Sequence, residues 1–180
     1  YEKAKQYIEG YEDLSWFEIL DEQGKKEVDK FRLWAKANKY TVELLLGNTG
    51  VLDEYTNFLT DYPNEILSGL LTIIKAANTF GFSIDHILER LPEPSLTNKV
   101  DPVKIEKFLR FHYQKAIYAF SQHRFEEGLE TILYCLSLSI STKNHPKTVL
   151  CTAWFQKYIK HVSNSQKETF SYIMEEVLKG

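Results

Sequence analysis

The stretch TIIKAANTFGFSIDHIL, residues 72–88, decides the fold. It opens as an apolar pattern of helical period, breaks at Gly81, and resumes as a short second helix behind Ser83-Ile84-Asp85. A glycine just past a periodic run can take the left-handed conformation that ends helices. A serine ahead of the next run can cap it. The stretch therefore reads as helix, glycine stop, helix.

The same grammar extends outward in both directions. Upstream, periodicity predicts short helices over 2–9 and over EDLSWFEIL, with Leu14, Phe17 and Ile19 or Leu20 inward. A longer helix is expected over 24–38, with Val28, Phe31, Leu33 and Trp34 on its apolar side. Two short helices, 41–47 and 51–60, follow around Asn48-Thr49-Gly50, and Pro63 opens a longer helix through Phe80. Downstream, LPEPSLTNKVDP (91–102) carries three prolines and reads as a linker. Beyond it come helices over 103–121, 124–140, 146–161 and 165–179, the first amphipathic along Ile105, Phe108, Leu109, His112, Ala116 and Phe120. Their short connections favour antiparallel neighbours. No segment alternates with a period of two. The expectation is an all-α fold: a helical unit over 1–90, the linker 91–102, and helical hairpins over 103–180.

Composition narrows the class of protein. With 43% hydrophobic and 14% aromatic residues the chain can bury a sizeable core. A net charge of −3 leans against a dedicated nucleic-acid binder, which is more often basic. No apolar run approaches the roughly 20 residues of a membrane span, and no leader segment is visible, so a cytoplasmic location is expected. Cys135 and Cys151 form no CxxC pair and sit in apolar helical patterns, where a free cysteine packs as a small hydrophobe.

Within residues 31–88, five expected helices have the lengths of a small DNA-reading domain. TIIKAANTFGFSIDHIL resembles the closing helices of XRE/Cro-type helix-turn-helix domains at Thr72, Lys75, Ala77, Gly81, Ser83, Asp85 and Leu88. YTVELLLGNTGV resembles the family's preceding block at Thr41, Glu43, Leu45, Thr49, Gly50 and Val51. These matches concern architecture: Gly50 and Gly81 as helix stops, Thr41 and Ser83 as caps, and Leu45, Val51, Leu59, Ile73 and Phe80 as core.

The resemblance places LDEYTNFLT where the recognition helix belongs, so Asp53, Glu54, Tyr55, Thr56 and Asn57 become the candidate DNA or partner surface. The family's first contact residue falls on Val42, which cannot bond a phosphate or a base. From Thr41 to Ile74 there is no Lys or Arg, while Glu43, Asp53, Glu54, Asp61 and Glu65 are acidic. Affinity for duplex DNA comes largely from cations neutralising phosphates, so this charge pattern disfavours DNA. The counterweight is a basic run that includes Lys30, Arg32, Lys36 and Lys39 on the helix before it.

In the second half, YAFSQHRFEEGLETILYCLSLS (118–139) resembles the heart of a tetratricopeptide repeat. Phe120 ends one helix, Phe125 follows the turn, and Gly128 and Cys135 take the small packing positions. His112 and Lys115 depart from the repeat pattern, and the closing proline is displaced to Pro146. Such hairpins present a groove to a peptide, here offered by Tyr113, Gln114, Tyr118, Gln122 and His123. The plain alternative is a helical bundle.

No phosphate loop, nucleophile elbow or HExxH motif is present. His112 and His123 lie about three helical turns apart without an obvious third ligand, so no metal, cofactor or enzymatic activity is expected. The domain order resembles bacterial peptide-responsive regulators of the Rgg and PlcR type. That implies a transcriptional regulator whose first unit binds DNA or a partner and whose hairpins bind a peptide or protein and dimerise the chain. The alternative is an adaptor or antirepressor that keeps the helix-turn-helix-like fold without binding DNA.

Overall fold

A computed structural model describes residues 21–96 and 101–179, and among them every regular element is a helix. The chain is all-α. The helices expected over 2–9 and over EDLSWFEIL, with Leu14, Phe17, Ile19 and Leu20, lie outside the described residues. The molecule divides into two compact units, one drawn from residues up to Ala76 and from Ser83–Pro92, the other from Ala77–Phe82 and from Glu93 onward.

In the first unit, α1 runs Glu22–Leu45 without interruption. Asp21 caps it, its carboxylate accepting from the Gly24 N–H at 2.7 Å. The break expected before Thr41 is absent: Thr41 bonds back to the Ala37 carbonyl at 3.0 Å instead of capping a new helix. Between Lys25 and Leu46 there is neither glycine nor proline to stop propagation. Tertiary packing also holds the turn in place, because Tyr40, Val42 and Leu44 are buried there and the Tyr40 ring stacks on Tyr55 at 5.0 Å. The helix ends at Gly47, whose φ is 84°. The Asn48 and Gly47 N–H groups donate to the Glu43 and Leu44 carbonyls, the paired bonds of a Schellman stop. Gly50, the expected stop, instead lies in a 3-10 turn over Thr49–Val51.

Next come α2 (Leu52–Asp61), a 3-10 turn over Pro63–Glu65, and α3 (Ile66–Phe80). Gly81 ends α3 at φ 77°, as the sequence indicates. The short α4 (Asp85–Arg90) begins one residue past the expected cap. Ile84 occupies the cap position, and Ser83 Oγ stands 3.5 Å from the Asp85 N–H. Leu59 and Ile73 are fully buried, but Leu45 and Phe80 are exposed, as are Phe31 and Trp34 of α1. Leu45 ends the continuous α1 instead of lying in a separate helix over 41–47.

The second unit holds α5 (Pro102–Ser121), α6 (Phe125–Ser141), α7 (His145–Lys157) and α8 (Asn164–Lys179). Asp101 caps α5 through the Val103 N–H, with Pro102 in the first turn where a missing N–H costs nothing. Asn144 caps α7. The two connecting turns are copies of each other. His123 and Lys143 both take positive φ, 59° and 55°. Each is followed by a residue whose N–H returns to the preceding helix, Arg124 to Ala119 at 2.9 Å and Asn144 to Ser139 at 2.7 Å. Leu109, Ala116, Phe120, Leu129, Ile132, Leu136, Cys151 and Phe155 form one core across α5, α6 and α7, against which the partly buried Phe170, Ile173 and Met174 of α8 pack. The Phe120 ring stacks on Tyr158 at 4.2 Å and on Trp154 at 5.4 Å.

Candidate interaction surfaces

On α2 the period of the helix sorts the residues of the expected recognition surface. Asp53, Glu54 and Asn57 are exposed, whereas Tyr55 and Thr56 are buried at 2% and 1% exposure. Tyr55 sits in the aromatic cluster with Tyr40 and Phe58, and burial raises its phenol pKa. Thr56 bonds the Leu52 carbonyl at 2.7 Å. Neither can touch a base, which corrects the expectation for both. Asn57 accepts from Arg90 on α4. What α2 presents outward is therefore a carboxylate pair, Asp53 and Glu54, with Asp61 at the far end, also exposed.

Lys30 and Arg32 of α1 are engaged along their own helix. Lys30 pairs with Glu27 at 2.8 Å and Arg32 lies 3.6 Å from Asp29, both in exposed i, i+3 pairs. Such pairs contribute little to stability but reduce the charge offered to a polyanion. Lys36 places its ammonium 5.8 Å from the centre of the Phe58 ring, and Lys39 is half-buried.

The expected peptide groove does not form as one surface. Tyr113 and Tyr118 are buried at 8% and 1% exposure. Tyr113 Oη accepts from the Trp154 indole at 2.9 Å and carries Lys147 over its ring at 4.2 Å. Gln114 is occupied by Asn78, whose amide donates to both its backbone and its side-chain oxygen at 3.0 Å. Gln122 is half-buried at the α5 C-terminus, and His123 is exposed in the turn that follows. Because α5 stops at Ser121, His112 and His123 do not share a helix face. Among the described residues no three His, Cys, Asp or Glu side chains converge on a metal position. Cys135 and Cys151 are fully buried, and the hydrogen bond between them together with burial raises the Cys135 thiol far above its ordinary pKa. It is no nucleophile at neutral pH.

Two cavities border α6. One, of about 680 Å³, is walled by His123, Phe125, Glu126, Glu127, Glu130 and His161, with the His161 imidazole stacked on Phe125 at 4.0 Å. The other, of about 560 Å³, lies between residues 93–96 and helices α5 and α6. Phe108, His112 and Tyr134 form its aromatic wall, His112 meeting Phe108 at 4.3 Å and Tyr134 at 5.0 Å, both edge-on. Glu93 holds Lys115 at 2.7 Å, and this bond lowers the Glu93 carboxyl pKa. Burial lowers the His112 pKa to about 4, so its imidazole is neutral at pH 7. Sequence reasoning did not assemble this cavity. Its one signal was that His112 and Lys115 fit no repeat pattern.

Comparison with protein-family models, with curated proteins and with solved structures finds no match to this chain. Among the described residues no helix is long and apolar enough to cross a membrane.

Proposed function

We propose that this protein is a non-enzymatic helical interaction module of the cytoplasm, whose α2 surface engages a basic partner protein. One observation carries the reading: α2 turns Asp53 and Glu54 outward while Tyr55 and Thr56 serve the core. The segment from Thr41 to Ile74 contributes carboxylates and no Lys or Arg, with Arg90 reaching α2 from α4 at Asn57, and such carboxylates repel phosphates and attract cations. The unbroken α1 adds support, since it removes the separate helix expected at 41–47. The second unit, with its paired helical turns and internally bonded Tyr113 and Gln114, acts as the rigid body that holds or dimerises the module. Two free cysteines at full burial suit a reducing compartment.

The test has two parts. In a fluorescence titration at low salt, duplex DNA should show no binding tighter than about micromolar, where even non-specific DNA binders register. In the same protein, Asp53→Lys with Glu54→Lys should abolish capture of its partners from the native host while leaving the far-UV circular dichroism unchanged. Micromolar or tighter duplex binding returns the chain to the DNA-binding regulators. Partner capture that survives the double substitution moves the contact surface away from α2.

A further inference from the structure

α7 is apolar on two sides. Its inner side sends Cys151 and Phe155 into the core, where Phe155 stacks on Phe170 of α8 at 4.3 Å. By the period of the helix, Pro146, Val149 and Ala153 fall on the opposite side. All three are exposed, Val149 at 68%, and the exposed Leu150 flanks them. Apolar residues at this spacing form the stripe by which a helix packs on another surface. Lys157 and Lys160, also exposed, follow it at the end of α7 and in the 3-10 turn Ile159–His161.

The charge around this stripe has one sign. From Thr131 to Lys167 the chain holds five lysines and no Asp or Glu. Residues 41–74 are the reverse, with five carboxylates, Asp53 and Glu54 among them, and no Lys or Arg. Two α7 faces brought together would set lysine against lysine, and two α2 faces carboxylate against carboxylate. Neither face is self-complementary, as a two-fold contact requires. α2 against α7 is the attractive combination.

We propose that the α2 surface of one copy of this chain docks on the outer face of α7 in a second copy, Lys157 and Lys160 pairing with Asp53 and Glu54 while Val149 is covered. The inference rests on the reading of α2 as a surface for a basic protein partner, and it names that partner as the chain itself. The contact is heterologous, so copies add head to tail until a ring closes or a filament continues. Exposed ion pairs are individually weak, which makes the association dependent on concentration and salt.

Sedimentation velocity of the full chain at low salt, over about a hundred-fold range of concentration, tests the contact. The weight-average mass should rise above the monomer's with concentration and fall back in high salt, where exposed charges are screened. Asp53→Lys with Glu54→Lys should sediment as a monomer, and so should Lys157→Glu with Lys160→Glu. An equal mixture of the two double variants should associate, because the carboxylates of one meet the lysines of the other. Damaged folds would give no such rescue. Val149→Asp, on a side chain outside the core, should weaken association at least ten-fold with an unchanged melting temperature. A chain monomeric at every concentration overturns the inference, as does a mixture that stays monomeric. So does association that survives either double substitution or is unchanged in Val149→Asp. The reading of α2 is judged separately: a monomeric chain whose capture of host partners is still lost in Asp53→Lys with Glu54→Lys sinks self-docking and leaves that reading standing.

Discussion

Gly128 on α6 lies directly against the ring of Phe120 on α5: a Cβ placed on Gly128 would stand 2.5 Å from Phe120 Cε1 and 2.6 Å from Cδ1. The ring cannot swing away, because Trp154 and Tyr158 stack on it. Gly128→Ala should therefore destabilise the protein by about 1–3 kcal/mol through overpacking, although alanine favours a helix interior by about 1 kcal/mol over glycine. Urea unfolding checks this. Phe120→Leu in the Gly128→Ala background should recover part of the loss, as double-mutant coupling between touching residues requires.

The two turns of the second unit hold L-residues in the left-handed region, His123 at φ 59° and Lys143 at φ 55°. That conformation costs a side chain roughly 1 kcal/mol relative to glycine. His123→Gly and Lys143→Gly are each expected to raise stability by about 0.5–1 kcal/mol, and the two should add because the turns are separate. A fall in melting temperature for either would show that the side chain contributes more than its backbone strain costs.

At the end of α1 the comparison runs the other way. Gly47→Ala forces alanine to φ 84° and should cost about 1 kcal/mol. Gly50 has no positive φ, and a Cβ there meets only Asn48 Oδ1 at 3.2 Å. Gly50→Ala should be nearly neutral. Thermal melts of the two variants side by side distinguish the true helix stop from the apparent one.

His112 makes stability depend on pH. Its folded pKa of about 4 lies below the ordinary 6.5 because burial penalises the charged ring. Between these values the unfolded chain binds the extra proton, so stability rises with pH across that window and is lost as pH falls from 6.5 toward 4. In His112→Phe this slope should flatten, as measured by urea midpoints from pH 7 to pH 4. The Glu93 carboxyl, lowered by its bond to Lys115, acts in the acid range: its contribution is present above 4.5 and is lost as pH falls further. It should remain in the variant.

Much of the fold was legible in the residues. Gly81 stops α3 and Gly128 is small where Phe120 needs room, because each of these roles is set by one residue and its near neighbours, whereas Asp101 and Pro102, read as the end of the linker, are the cap and first residue of α5. The candidate surfaces were less legible. Asp53 and Glu54 face outward as expected, but Tyr55 and Thr56 occupy the same short segment and point inward. Which face of α2 is buried depends on where Tyr40 and Phe58 come to lie.

Sequence alone determined the all-α class, the helix stop at Gly81, and the acidic character of residues 41–74. These follow from local backbone preference and from charge, which need no partner in space. The tertiary structure decided that α1 runs on through Thr41, since burial of Tyr40, Val42 and Leu44 outweighs the weak capping preference of one threonine. It also decided that Glu93, His112, Lys115 and Tyr134 share one cavity. Those residues come from three segments, and only the packing of α5 on α6 brings them within reach of one another.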